Sequence, residues 1–336
     1  MADFVTVDAR ACEAVIATLR GHEIPEDRED STLPHIPLEL VPNFYFYLVA
    51  ICHQTSPRNH APVEGVVRGQ HRRGWDFLYA RLEEASAGHV GLLEPTYWTQ
   101  ESEDSFGQLF TDERYGLRLV DIPRRVELVR DLGTVLLREQ SNSITSIYRR
   151  CRGHLLAHSP NLLDELAKFQ AYADPVQKKA IFFLSIMRNT GLWSFPDNNL
   201  LEAPVDYHEV RGHLRLGTVQ ISDARLVDRI RQGTPVSGSE DIAIRMATRT
   251  AIRYISDRLS ITPSRAHYLF WNLFRSICTR ANPQCLGLAA DNPLPSRYVH
   301  LASIGGPPPR CPFAAVCPSA YLSERFVEHV FETDYY

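Results

Sequence analysis

Lysine is scarce in this 336-residue chain, and long apolar runs are absent. Lys occurs only at positions 168, 178 and 179, so all but three of the 36 basic residues are Arg and the adjacent pair Lys178–Lys179 stands out. The longest apolar stretch, Phe44 to Cys52, falls short of the about 20 residues that a membrane-spanning helix needs, and no basic segment leads into an apolar one at the N-terminus. These absences lead to the expectation of a soluble, unsecreted, cytoplasmic protein. Fixed-period repeats and low-complexity tracts are also missing, and strand signals are few and short. The net charge of −4 excludes a surface that is basic all round but leaves room for a local basic groove.

What is present is ordinary globular composition, 44% hydrophobic and 23% charged, enough for one large domain or two interlocked ones. Apolar periodicity predicts helices over Ala9 to Arg20, Leu38 to Gln54, Trp75 to Ala85, Ile122 to Glu139, Ile144 to Ala157, Leu162 to Tyr172 and Val176 to Met187. Two more are predicted over Ser239 to Ser260 and Pro263 to Cys278, the first opened by a Ser-rich cap. A charged linker through Pro25 and Pro34 precedes the aromatic helix, which is apolar almost all round and therefore expected in a domain centre. The fold class is all-α. The tail from Ala281 to Pro318 carries eight prolines and can form neither regular helix nor central strand.

Four constellations carry chemistry. Four of the seven Cys cluster as Cys278-x6-Cys285-x25-Cys311-x5-Cys317, a soft donor set suited to a [4Fe–4S] cluster or, alternatively, to zinc. The tight C-x2-4-C pair usual in zinc sites is missing, which favours the larger centre. Pro204 through Gly217 reads as a short helix with Asp206 as N-cap and Gly217 just past its end. Adjacent helical positions point about 100° apart, so one of Lys178 and Lys179 can face inward, as a nucleophile or anchor, while the other stays in solvent. The aromatic helix ends in His53-Gln54-Thr55, a polar tip suited to contacting a ligand.

Taken in order, these residues resemble the helix-hairpin-helix DNA glycosylase superfamily, which includes endonuclease III and archaeal 8-oxoguanine glycosylase. Val205-Asp206-x-His208-x-x-Arg211-x-x-x-Arg215-Leu216-Gly217 reproduces the family pattern V-D-x-H-x-x-R-x-x-x-R-L-G without a gap. Ala50 to Thr55 is similar to the family's early helix, whose Gln enters the base stack, and Lys178 to the catalytic Lys of bifunctional members. The Cys tail keeps the outer x6 and x5 spacings of the family's iron–sulfur loop and widens the middle one to x25. The glycine-rich hairpin that precedes the family's Lys and holds a DNA phosphate is replaced by Ala171-Tyr172-Ala173-Asp174-Pro175-Val176.

The resemblance implies a two-lobed helical fold with a C-terminal cluster loop at 278–317. One lobe would span 36–190 with the wedge-like helix end and Lys178; the other would combine 1–35 with 191–336 and carry Asp206. It implies a monomeric DNA glycosylase acting on double-stranded DNA with a flipped base, its target a damaged base or a hypermodified phage base. Asp206 is then the catalytic carboxylate, Lys178 a lyase nucleophile, Gln54 the wedge with His53 beside it, and His208, Arg211 and Arg215 contacts to the DNA. Tyr45, Tyr47 and Tyr207 are candidates for the base pocket, and Trp193, Phe195 and Pro196 for its lining. Further phosphate contacts are sought in Arg68, Arg72 and Arg73 around His71, and in the face Arg245, Arg249 and Arg253, which reads more readily as a solvated helix face. The cluster would clamp structure rather than carry electrons. Val205 to Gly217 and Ser239 to Thr250 also resemble queuosine-type nucleotide N-glycosylases, which gives a second enzyme reading. A non-catalytic DNA-binding protein with a structural cluster is the third.

Overall fold

The computed structural model describes residues 4–26, 33–56 and 60–336. Part of the Pro25–Pro34 linker, and Pro57 after the aromatic helix, lie outside them. The fold is mostly helical, with 50% of residues in helix and 6% in strand. Among the described residues the strands form three antiparallel two-stranded ribbons and no larger sheet. Among the described residues no helix is long and apolar enough to cross a membrane.

The chain forms two compact units. One contains the N-terminal segment and Leu201–Glu332; the other contains the chain from the linker to Leu200, together with Thr333–Tyr336. Residues 191–200, expected with Asp206, belong instead to the unit that holds Lys178. Aromatic packing and a carboxylate hold them there. Trp193 stacks on Tyr148 with ring centroids 4.4 Å apart, and Asp197 accepts the N–H groups of Leu155, Leu156 and Ala157 at 2.8–2.9 Å. Trp193 and Phe195, expected to line a base pocket, are thus buried core of that unit.

In the Lys178 unit the aromatic helix Val41–Ile51 is buried at every position. Phe46 stacks on Tyr172 at 5.0 Å and accepts the Tyr172 hydroxyl on its carbonyl at 2.6 Å. Tyr45 and Tyr47 are core residues here rather than pocket walls. The helix packs against Ile122–Arg138 and Lys178–Asn189. It stops at Ile51, earlier than its apolar run, because Cys52 leaves helical geometry and Gln54 sits in the left-handed region at φ 46. The expected helix over Ile144 to Ala157 likewise ends at Arg150, where Gly153 at φ 71 turns the chain.

The Asp206 unit is built on three helices. Tyr207–Leu216 packs against Gly238–Leu259 and Pro263–Ser276, and Ala9–Leu19 covers the long middle helix. The strand Val5–Val7 pairs with Val219–Ile221, tying the start of the chain beside the end of the Asp206 helix. The Pro-rich tail forms only a short 3-10 turn and the four-residue helix Val299–Ala302, in keeping with its prolines.

Gly212 sets how closely the Asp206 helix approaches its neighbour. A Cβ at this position would lie 2.1–2.4 Å from ring carbons of Phe274. On an exposed helix face Gly→Ala stabilises by about 1 kcal/mol; here the sign reverses. Gly212→Ala is expected to cost about 1–3 kcal/mol through overpacking, read as a lower urea midpoint. An unchanged or raised midpoint would show that the two helices separate freely.

Candidate active site

Asp206 caps the Tyr207–Leu216 helix in extended geometry and is half-buried. Its Oδ1 accepts the N–H groups of His208 and Glu209 at 2.8 and 3.3 Å. Glu209 reciprocates, its Oε2 accepting the Asp206 N–H at 3.1 Å. This capping box satisfies donors that a helix start otherwise leaves orphaned. Glu209 is itself fully buried; burial raises its carboxyl, and His267, 2.8 Å away, opposes that rise. The second carboxylate oxygen of Asp206 accepts Trp271 Nε1 at 2.9 Å. A carboxylate offers about four acceptor sites. Three are filled here by donors from two helices, which fix the plane of the group and leave a site on Oδ2.

Half-buried aromatic residues follow Asp206 on its helix and flank its Trp271 partner. Tyr207 and His208 lie 4.2 Å apart by ring centroid, and Trp271 stands edge-on to His208 at 6.3 Å and 89°. The exposed Arg275 guanidinium rests 4.1 Å over the Trp271 ring. Burial lowers the His208 imidazole to about 4, with Asp206 opposing and Arg211 assisting, so the ring is neutral near pH 7. A carboxylate beside flat, partly exposed rings and a cation has the composition of a site for a planar base.

Arg211 and Arg215, expected on DNA, are instead buried inside the protein. They lie four residues apart on one helix face, and that face meets the Cys segment rather than solvent. Arg211 donates to the Cys278 carbonyl, to His208 Nδ1 and to Glu328 at 2.8, 2.8 and 2.9 Å. Glu328 is buried as well, yet Arg211 and Arg280 overcome the desolvation and hold its carboxyl at about 2. Arg215 donates to the carbonyls of Phe326, Cys278 and Thr279 at 2.6–3.2 Å, and to Cys278 Sγ at 3.2 Å. On the Arg245 face only Arg245 is closed to a phosphate, while Arg249 and Arg253 are half-buried. Arg245 is buried on Asp241, which also takes His329 at 2.8 Å, and Arg253 pairs with Glu202.

Cys278, Cys285, Cys311 and Cys317 all line one narrow cavity of about 20 Å³ beside Arg215. None is in a disulfide. Burial and the charges of their fellow cysteines push Cys285, Cys311 and Cys317 up, Cys317 to about 11. Among the described residues no group of three or more His, Cys, Asp or Glu side chains is drawn in to ligate a single ion. The donors nonetheless fit a thiolate-bound centre, since four soft ligands share one cavity and Arg215 supplies a hydrogen bond to sulfur at its wall.

In the other unit the inward lysine is Lys179. It is fully buried, with Nζ donating to the Ala50 carbonyl and lying 3.4 Å from His53 Nδ1. Arg125, equally buried, donates to the carbonyls of Ile51 and His53. Two cations thus cap the carbonyl end of the aromatic helix, where the helix dipole favours positive charge. His53, expected at a base, is sealed between them and held neutral by burial and by both charges. Lys178 is half-buried, its ammonium 5.2 Å from the Phe182 ring. Gln54 is half-buried and donates to the Thr333 carbonyl at 3.3 Å.

The sequence reading missed Trp271, Glu209 and its partner His267, and the cationic cap formed by Lys179 with Arg125. Only the Glu209 role had a signal, the acid three residues after an N-cap Asp. Compared with known proteins, the chain matches no family model and no curated relative.

Lys179 gives a pH test. Burial lowers its ammonium from 10.5 to about 7 against the attraction of Asp334. Between those values the unfolded lysine holds a proton that the folded one has released, so stability contributed at this position rises with pH. Relative to Lys179→Met, the wild type should therefore gain stability from pH about 7 to about 10, by at most about 1.4 kcal/mol per pH unit. Urea titrations of both proteins across that range check this; a constant difference would mean that Lys179 keeps its proton.

Proposed function

We propose that this protein is an N-glycosyl hydrolase that releases a damaged or modified base from DNA, with Asp206 as the catalytic carboxylate. One observation carries the reading: both oxygens of a half-buried carboxylate are anchored, by two backbone N–H groups and Trp271, next to the half-buried Tyr207 and His208. Cleavage of the bond from C1′ to the base nitrogen leaves positive charge on the sugar, and the electron pair departs with the base. A fixed carboxylate stabilises that charge and accepts a proton from the water whose oxygen bonds to C1′. The proton taken up by the base nitrogen balances the step.

Lys178 is proposed as the alternative nucleophile. A neutral amine attacking C1′ would replace water and convert base release into strand cleavage through a covalent intermediate. The four Cys are proposed to hold a [4Fe–4S] centre, with zinc as the alternative, which would order the irregular tail around an inorganic core.

A nucleotide N-glycosylase is the second reading, and one observation favours it. The N–H groups of Val176 and Lys178, where the resembled family would hold a DNA phosphate, are taken by the Asp174 carboxylate at 3.0 and 2.9 Å. That loop is already occupied by an anion of the protein's own.

Purified protein incubated with duplexes carrying a panel of lesions or modified pyrimidines is expected to generate alkali-labile sites on at least one of them. Asp206→Asn, which keeps a capping oxygen, should fold normally and lose at least about a hundredfold of this activity. Lys178→Gln should keep base release and lose only strand nicking. Release of base from free nucleotides but from no duplex would select the second reading, and full activity in Asp206→Asn would eliminate both.

Metal analysis of freshly purified protein tests the thiol cavity separately. Iron with acid-labile sulfide and a visible charge-transfer band is expected, both lost in Cys311→Ser; one zinc per chain would establish the mononuclear alternative. Removal of the centre should destabilise the Asp206 unit, because Arg215 joins the Asp206 helix directly to this segment.

A further inference from the structure

The hairpin formed by Glu64–Val67 and Gln70–Arg73 turns through Arg68 and Gly69, both at positive φ, in the two-residue geometry that suits tight hairpins. Its second strand, Gln70-His71-Arg72-Arg73, is exposed at every position. A second ribbon, Thr111–Asp112 with Gly116–Leu117, is bound to it through one buried carboxylate. Asp112 accepts the Val66 N–H at 2.8 Å and the Arg114 and Tyr115 N–H groups at 2.9 Å. The two ribbons are therefore held as one platform.

Basic side chains converge on that platform, three of them on Glu64. Glu64 faces His71 at 3.0 Å, Arg73 at 3.5 Å and Arg118 at 3.6 Å, while their side chains stay 45%, 63% and 32% exposed. Arg68 pairs with Glu83 at 3.1 Å, and Arg72 hydrogen-bonds Gln70. Tyr115 lies among them, its ring 5.4 and 5.6 Å from the Arg114 and Arg118 guanidinium carbons and 5.6 Å from the His71 ring. Five arginines and a histidine thus face four acids, Glu64, Glu83, the buried Asp112 and the exposed Glu113 of the turn, an excess of one positive charge with the histidine neutral. The platform keeps positive charge although the whole chain is negative, and its guanidinium groups are oriented before any partner arrives.

The geometry points to a nucleic-acid-binding surface on this double ribbon, in which Arg72, Arg73, Arg114 and Arg118 contact backbone phosphates and Tyr115 offers a face for an unpaired base. Exposed guanidinium forks match phosphate oxygens, and an aromatic ring between cations provides a stacking surface for bases of any identity. The surface deepens the proposed DNA reading by giving it an anchor apart from Asp206. It has no dependence on the loop that Asp174 already fills.

The test measures fluorescence anisotropy of a labelled random-sequence duplex, and of the matching single strand, with the full-length protein over a salt series. Wild type is expected to bind with an affinity that falls steeply with salt. Arg72→Gln/Arg114→Gln should weaken binding and lower the magnitude of the salt slope by about two. The control pair Arg10→Gln/Arg149→Gln removes the same charge elsewhere and should leave the slope nearer the wild-type value. Tyr115→Leu should weaken the single strand more than the duplex. An unchanged slope in the Arg72/Arg114 variant would overturn the proposal, as would binding to anionic lipid vesicles with none to either nucleic acid. Asp206→Asn, assayed in parallel, separates this surface from the catalytic reading. Salt-sensitive binding retained without any base release leaves the surface standing alone; base release from free nucleotides with no duplex or single-strand affinity overturns the surface and leaves the Asp206 chemistry in place.

Discussion

Everything in the Asp206 unit depends on two arginines that do not meet solvent. Arg211 and Arg215 project from one face of the Tyr207–Leu216 helix into a segment that has almost no regular structure. Their guanidinium groups satisfy the carbonyls at the end of the Pro263–Ser276 helix and the start of the Cys segment, which would otherwise be buried without donors. Buried cations are tolerated only when paired, and Glu328 supplies the opposite charge for Arg211. The helix therefore joins two tasks. Its first residues fix a carboxylate, and its last two turns hold the thiol cavity in place. Movement of the Cys segment would reach Asp206 through a rigid element about 15 Å long for its ten residues.

The same constraint acts in the other unit with a different solution. Lys179 and Arg125 are buried with carbonyl oxygens as their nearest acceptors. The end of a helix whose every residue is buried exposes no carbonyls to water, so protein donors must satisfy them. Lys179 provides one with a flexible stem, and Arg125 provides a fork. His53 fills the space between and cannot also reach a base. Of the neighbours at the tip of this helix, Gln54 alone of the expected pair keeps partial access to solvent, and its left-handed backbone turns the chain away from the helix axis.

How much of this was legible in the sequence follows from which signals are local. Helix positions were readable because apolar period, N-caps and glycine stops act within one element: Asp206, Gly217 and the Ser237 region all mark ends where the chain turns. Helix lengths were less so. Ile144 to Ala157 has a helical pattern throughout, yet Gly153 and the pull of Asp197 on three successive N–H groups end it early. The ribbons were missed because strands of two to four residues carry too few positions to show a period. At the site, Asp206 was visible as a cap, whereas Trp271 lies 65 residues away and shows no sign in its own helix of the carboxylate it meets. Choosing between Lys178 and Lys179 from sequence fails for the same reason: both are near one helix start, and only the tertiary neighbours decide which faces inward.

Arginine bias gives the last connection. A chain with so few lysines has to use guanidinium for buried clamps and surface charge alike, and motif spacing cannot tell the two apart. Arg211 and Arg215 have the arrangement of a phosphate-reading pair, yet they face carbonyls, a carboxylate and a thiol. Arg72 and Arg73 sit in a four-residue strand that no periodicity would mark, yet they are exposed. What separates the classes is the company each keeps. A buried arginine needs a full set of acceptors, since each unsatisfied N–H costs about 1–3 kcal/mol, whereas an exposed one can leave donors to water or to a partner. The Glu64 cluster belongs to the second class, because one carboxylate facing two guanidinium groups and an imidazole cannot engage all their donors. Donors left over beside a fixed aromatic ring are what a phosphate-rich ligand would meet first on this unit. The internal arginines act earlier still, by fixing the helix on which Asp206 stands.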